Sequence, residues 1–332
     1  MKKILLIGGC GFIGHNLAIH LKKLNFDVTI VDGLSVNNLY NFKDNIGNNE
    51  FYRTVLNNRL NLLNENKINF QITDARDYHA LSKLISSYKP DFIIHLAAVS
   101  HANKSNKDPH STFDHSLRTL ENALDASRSV GAHFIYLSSS MVYGNFDGET
   151  VEEDRLLNPI GIYGTLKMCG EYIVKSYNQV FDLPYTIIRP SALYGERCVS
   201  RRVGQIFIEN AIRGQKIIIN GDGSEKLDFT YIKDFIQGIA LCINSKNAKN
   251  QIFNLTYGEG RSINQLIEIL KKEFPSIEIE TKDREKFTPE RGTLSVEKAK
   301  KLLDYKPSYP IEKGYIEYIN WYSNFFKDKF KK

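Results

Sequence analysis

The sequence predicts an α/β protein built on a doubly wound parallel sheet, with a smaller C-terminal lobe. Over its first two-thirds, short apolar runs alternate with longer amphipathic ones, the pattern of a parallel sheet covered by helices. The short runs are continuously rich in Ile, Leu, Val and Phe, as strands buried on both faces must be. A glycine-rich turn follows the first run directly. The strands expected are Lys3–Ile7, Asp27–Val31, Asn69–Ile72, Asp91–Leu96, His133–Leu137 and Tyr185–Ile188. Between them, 3.6-residue periodicity places helices at Phe12–Leu24, Tyr78–Ser87, Ser111–Val130 and Gly164–Phe181.

A polar, Asn-rich stretch from Val36 to Lys67 separates the second and third strands and is long for such a connection. Its part Phe51 to Leu63 has helical character; its role is not readable from the residues. After Pro190 the texture shifts to Gly- and Arg-rich loops, shorter strands and scattered helices. The division expected is a first domain over 1–190, rejoined by about 228–255, and a lobe over 191–332 on the sheet's carboxyl edge, where ligands of open α/β sheets bind.

Composition excludes several classes. With 332 residues, 42% hydrophobic and 25% charged, the chain has the make-up of a globular protein with a full core. The net charge of +6 is spread out, and the one basic run, Lys327 to Lys332, reads as a solvated helix end rather than a nucleic-acid or membrane contact. Cys10, Cys169, Cys198 and Cys242 show neither CxxC nor Cys/His ligand spacing, so no metal site and no disulfide framework is expected. No run approaches the roughly 20 apolar residues of a membrane span. The expectation is a soluble, cytoplasmic protein.

Gly8-Gly9-Cys10-Gly11-Phe12-Ile13-Gly14 ends the first strand and opens the first helix. Gly8 permits the tight turn, Gly11 a close approach of backbone to a pyrophosphate, and Gly14 close packing of helix on strand. The free N–H groups of the helix start then face the phosphates, beside Phe12 and Ile13. Asp32 ends the second strand, where an acid meets the adenosine ribose hydroxyls and repels a 2′-phosphate. The dinucleotide expected on this Rossmann pattern is NAD rather than NADP.

Tyr163-Gly164-Thr165-Leu166-Lys167 places a phenol and an ammonium on one face of a helix that follows Asn158-Pro159. A phenol near pKa 10 is a poor base at neutral pH, so it needs such a positive neighbour. Upstream, the strand His133–Leu137 runs into Ser138-Ser139-Ser140-Met141-Val142-Tyr143-Gly144, which puts a hydroxyl at the sheet's carboxyl edge to hydrogen-bond a substrate oxygen.

GGCGFIG, HLAA (His95 to Ala98), SSSMVYG, YGTLK and GDGSEKLDFTYIKD (Gly221 to Asp234) together resemble the extended short-chain dehydrogenase/reductase family, in the family's order and over nearly the whole chain. The subgroup most similar is the nucleotide-sugar epimerases and dehydratases, typified by UDP-glucose 4-epimerase. The resemblance implies Tyr163 as base, Lys167 as its tuning and ribose-binding partner, and Ser139 as the catalytic hydroxyl. It implies Asp74 and Ala75 near adenine, Leu96, Ala97 and Ala98 as a wall beside the cofactor, and Pro190 over the nicotinamide. Substrate would be held by Ser100, Ser139, Ser140, Tyr163, Tyr194, Arg291 and Arg201 or Arg202, arginine being suited to a diphosphate by its planar fork. A homodimer through a four-helix bundle of Ser111–Val130 and Gly164–Phe181 is implied as well.

The sequence also departs from the family pattern. Leu227 stands where relatives usually carry a diphosphate-binding Arg, with Lys226 or a loop Arg as substitutes. Ala192 replaces a substrate-contacting Asn, His115 a bracing Asn, and Thr293 an Asp. Dehydratases need an acid/base pair just after the catalytic hydroxyl, where this chain has Ser140 and Met141, and a thioether cannot shuttle a proton. The function expected is therefore an isomerase of carbohydrate biosynthesis, an NAD-dependent nucleotide-sugar 4-epimerase working through a 4-keto intermediate. A 4,6-dehydratase or C4 dehydrogenase, and a non-catalytic NAD-sensing regulator, are the alternatives.

Overall fold

The computed structural model describes residues 1–44, 49–100, 102–284 and 288–330, the last three by backbone alone. Lys331 and Lys332 of the basic run, and 45–48 of the Asn-rich stretch, lie outside the described residues. Seven parallel strands form the central sheet: β1 (Lys3–Ile7), β2 (Asp27–Asp32), β3 (Asn69–Ile72), β4 (Phe92–His95), β5 (His133–Leu137), β6 (Tyr185–Arg189) and β7 (Gln251–Asn254). Their spatial order is β7-β6-β5-β4-β1-β2-β3, so the chain winds outward from β1 first one way and then the other. β7 pairs with β6 in the register Ile252 to Ile187, so the chain returns to the sheet after an excursion through the lobe.

Both faces of the sheet are buried except at the edge strand β3, where Asn69, Gln71 and Ile72 are exposed, and the pleat sorts the other strands' residues between two cores. Ile4, Leu6, Ile30, Ile135, Leu137 and Ile188 face one core, with α1 (Phe12–Lys23), α2 (Asn49–Glu65) and α7 (Ile232–Asn244). Leu5, Ile7, Ile93, Phe134, Tyr136 and Ile187 face the other, under α3 (Tyr78–Tyr88), α4 (Thr119–Arg128) and α5 (Gly161–Phe181). Capping follows from the local sequence: the Asp77 carboxylate accepts the Ala80 N–H at 3.0 Å to start α3, and Lys89 ends it in the left-handed region at φ 51°.

The single helix expected over Ser111–Val130 is instead three continuous pieces: Pro109–Phe113, a wide π-type turn Asp114–Arg118, and α4. Tertiary bonds override the periodicity there. Arg76 pairs with Asp114 at 2.7 Å, and the Asn122 amide donates to the Ala75 and Arg76 carbonyls at 3.0 and 2.9 Å.

The lobe is assembled from two-stranded pieces, α6 (Val203–Ile212), α8 (Ile263–Glu273) and α9 (Ile311–Phe330). Buried Asp228 ties them together. Its carboxylate accepts from Leu294 N (3.2 Å), Gly258 N (3.2 Å) and Thr256 Oγ1 (3.0 Å), while burial lifts its pKa to about 6. Among the described residues, no helix is long and apolar enough to cross a membrane.

Candidate active site

Segments that follow β1, β4, β5 and β6 line, with residues of the lobe, a cavity of about 480 Å³, within the range of small-molecule sites. At its cofactor end stands the glycine turn. Gly8 has φ 82°, and a Cβ there would lie 2.7 Å from the Ala97 amide nitrogen. A Cβ on Gly14 would run into the Gly9 backbone, so helix α1 can close on the turn only without one. The Asp32 carboxylate accepts from Cys10 N at 2.9 Å and Leu34 N at 2.7 Å, which fixes its orientation and leaves each oxygen a further lone pair. Burial lifts the Asp32 pKa, and those two N–H groups and Arg59 oppose the lift. This cradle, narrow enough to exclude side chains and backed by a carboxylate at the end of β2, fits a dinucleotide.

Other residues expected near the cofactor fall along the same edge. Ile13, Leu96, Ala98 and Pro190 line the cavity, Ala97 backs Gly8, and the Pro190 carbonyl accepts the Ser140 N–H at 2.9 Å. Ala75 is buried after β3. Asp74 is committed to Arg76 at 2.6 Å, which draws its carboxyl below the usual range and was not foreseen.

Tyr163 and Lys167 stand one turn apart on α5, and both line the cavity with Ser139. Burial raises the phenol's pKa, while Arg202 and the hydrogen-bonding Ser139 hydroxyl favour its anion. The Lys167 ammonium donates to the Leu137 carbonyl at 2.5 Å and lies 5.0 Å over the Tyr136 ring. Burial brings its pKa down to about 8, opposed by Glu171. His95 packs beside this pair as the neutral imidazole, its pKa lowered to about 3 by burial and by Lys167.

Glu171 completes a stripe of 163, 167 and 171 down α5, and sequence reasoning missed it. Ser138 Oγ donates to Glu171 Oε1 at 2.5 Å, and Arg189 grips both carboxylate oxygens at 2.9 and 2.6 Å. Arg189 also donates to Tyr143 Oη at 2.8 Å and the Glu153 carbonyl at 2.9 Å. The serine turn is thus held from beneath by a buried ion pair. A Glu four residues beyond Lys167 was the available signal.

The substrate-side residues converge from several segments. Ser100, Ser140, Tyr194, Arg201, Arg202 and Arg291 all line the cavity. Arg202 Nη2 donates to the Ser100 carbonyl at 3.4 Å, and Ser100 Oγ accepts from Asn37 of the Asn-rich stretch at 3.3 Å. Tyr194 is buried in an aromatic group with Tyr231, Tyr315 and Tyr318. Its position in that group makes it a wall more than a probe. Ala192 adopts φ 33°, a region Asn tolerates better, so the departure there costs backbone strain. His115 Nδ1–H donates to the Ser111 carbonyl at 2.9 Å, and Thr293 Oγ1 accepts the Gly260 N–H at 2.9 Å.

The Asn-rich stretch has a second link to the site. Fully buried Arg59 of α2 donates through Nε to the Arg197 carbonyl at 3.0 Å, with Nη2 on the same oxygen, and Arg197 Nε donates back to Asn58 at 2.7 Å. Helix α2 therefore fixes the loop that carries Arg201 and Arg202.

Comparison with known proteins agrees with this geometry. Residues 4–256 match the NAD dependent epimerase/dehydratase family. A putative UDP-glucose 4-epimerase of Methanocaldococcus jannaschii is 32% identical over 328 residues, covering 97% of this chain and 98% of that one. A UDP-glucuronate 4-epimerase of Thermodesulfobacterium geofontis is 28% identical over 97% of this chain and 96% of its own. The crystal structure of UDP-glucuronic acid 4-epimerase from Bacillus cereus, with UDP-glucuronic acid and NAD, superposes with a TM-score of 0.88 at 27% identity, covering 97% and 99% of the two chains. The glycine cradle, Asp32 and the Tyr163–Lys167 pair stand on the fold of those proteins, and the chain belongs to the NAD dependent epimerase/dehydratase family.

Proposed function

We propose that this protein is a reversible NAD-dependent 4-epimerase of a nucleoside diphosphate sugar. The observation that supports the reading is that Tyr163, Ser139 and Lys167 line one cavity together with Arg291, and that Ser140 and Met141 line it too. The first three residues can take a proton from a sugar hydroxyl. The last two lack the acid and base that dehydration across C5 and C6 requires.

Tyr163 removes the proton of the C4 hydroxyl while Ser139 hydrogen-bonds the same oxygen, and Lys167 stabilises the phenolate that accepts it. Gly8, Gly11, Phe12, Ile13, Gly14 and Asp32 hold the pyrophosphate and adenosine ribose, with Asp74 and Ala75 toward the adenine. Leu96, Ala97, Ala98 and Pro190 would flank the nicotinamide ring, and Tyr163 and Lys167 would meet its ribose. NAD, when bound, would supply the hydride acceptance at C4 and the return of that hydride to the opposite face of the sugar. Ser100, Ser140 and Tyr194 wall the sugar, and Arg201, Arg202 and Arg291 face the diphosphate. The names of the relatives support uridine as the base.

The exposed apolar side chains Phe113, Ile162, Tyr172, Val180 and Phe181 support a homodimer through the helices carrying them. The four free thiols suit the reducing cytoplasm. The test is a panel of UDP-, GDP-, CDP- and dTDP-sugars followed by NMR. Inversion at C4 is expected, and a 4-keto product or no conversion overturns the reading. Tyr163→Phe should lose turnover and keep NAD. Near-normal activity in that variant removes its assigned role.

A further inference from the structure

The cavity is strongly unbalanced in charge. Among the described residues its lining includes Lys167, Arg201, Arg202, Arg284 and Arg291 against a single acid, Glu225. Lys167 stands with Tyr163 on α5, and Arg201 and Arg202 lead into α6. Arg284 and Arg291 line it together with Glu225, Leu227 and Thr288, and Arg291 lies within reach of the charges of Glu225 and Arg284. Backbone geometry places Arg284 there. The strand Ile279–Lys282 pairs in parallel with Ile217–Asn220, and the Gly221 N–H closes the pair on the Lys282 carbonyl at 2.7 Å. The chain therefore leaves the strand beside Ile218, Ile219 and Asn220, which line the cavity, and the Arg284 Cβ would lie 3.9 Å from a Cβ built on Gly221.

Neither arginine is saturated. Arg291 Nε is buried without a hydrogen-bond partner, and its nearest acid, Glu225 Oε1, is 3.9 Å from Nη2. Arg284 has two long bonds of 3.3 Å, to exposed Glu290 and to the Thr288 carbonyl. Two guanidiniums facing one carboxylate leave a site for an added anion, and planar forks suit phosphate oxygens. The other candidate cation is turned away. In the strand Lys226–Asp228 the pleat buries Leu227 against the cavity and points Lys226 to solvent.

We propose that Arg284 is a ligand of the substrate's diphosphate, clamping it together with Arg291 in a cavity where position 227 offers only an apolar wall. This rests on the reading that the cavity takes a nucleoside diphosphate sugar. Arg284 thereby becomes a residue that discriminates diphosphates from monophosphates.

The test is calorimetric titration of the NAD-loaded protein with UDP, dTDP, GDP, CDP and UMP. Wild type should bind at least one nucleoside diphosphate, and UDP more tightly than UMP. Arg284→Ala and Arg284→Gln should each weaken diphosphate binding about 10- to 100-fold, as loss of a charge-assisted pair does, and affect UMP far less. Lys226→Ala should leave both affinities unchanged. Diphosphate affinity in Arg284→Ala within about 2-fold of wild type, or loss in Lys226→Ala instead, overturns the proposal, as does a wild type that binds none of the diphosphates. If the binding pattern holds and no sugar is inverted at C4, the reaction assignment fails and this one stands.

Discussion

Lys167 shows how one side chain sets both the chemistry and a stability cost. In the proposed mechanism its ammonium stabilises the Tyr163 phenolate, yet burial brings its pKa down to about 8 from a usual value near 10.5. Below about pH 8 it is charged in both folded and unfolded chains, and the folded state bears the full cost of burying it. Between about 8 and 10.5 the unfolded chain binds more protons, so unfolding free energy rises with pH across that window. On the proposed mechanism activity should move the other way, because above about pH 8 the charge assigned to stabilising the phenolate is lost. The pH profile of kcat/KM should therefore fall above about 8, and a profile flat to pH 10 would count against this account. Lys167→Met should abolish turnover while leaving the thermal midpoint at pH 7 at or above that of wild type, a trade of stability for activity. A midpoint several degrees lower would mean that the bond to the Leu137 carbonyl outweighs burial.

At the scale of elements, strands and their glycine turn were legible because both depend on local pattern. A strand buried on two faces is apolar throughout, and Gly14 answers a backbone approach made within its own βα unit, whereas Gly8 answers the Ala97 backbone after β4 and was legible through the turn it forms. Elements whose shape depends on distant partners were not legible. The widened turn at Asp114–Arg118 answers to Arg76, and helix α2 finds its purpose at Arg197, 138 residues from Arg59. The tie between α5 and β6 belongs to the same class. Glu171 and Arg189 are each at most 2% exposed as side chains, and removing one leaves the other charged in the interior. Glu171→Ala should lower unfolding free energy by about 3–5 kcal/mol in a denaturant titration. Lys300→Ala, which breaks an exposed pair with Glu297, should cost under about 1 kcal/mol. Similar losses in the two variants would contradict the buried pair's role in holding the serine turn.

For the whole molecule, the sites on the sheet's carboxyl edge were legible as a set, since each follows a strand, and the family resemblance pointed to Arg291, whereas Arg284 and Glu225 were not legible. Arg284, Arg291 and Glu225 come from loops of the lobe that no periodicity brings together. The same reasoning applies to the outer surface. On α5, Tyr163, Lys167, Glu171 and Val174 turn inward, and Ile162, Thr165, Cys169, Tyr172 and Ser176 form a stripe at helical spacing on the other side. Tyr172 is 57% exposed and Val180 70%, and Phe113 adds apolar surface on the neighbouring helical segment. A two-fold pairing of these helices would bury all of them, because an isologous contact presents the same stripe from both copies. Light scattering coupled to size exclusion should thus give twice the chain mass of 38.0 kDa. Tyr172→Arg should shift the protein toward monomer, since the charge would be buried against its own copy. NAD should remain bound in that variant, because the inward face carrying Tyr163 and Lys167 is untouched. A monomeric wild type, or a Tyr172→Arg variant that stays dimeric, would place any self-association elsewhere.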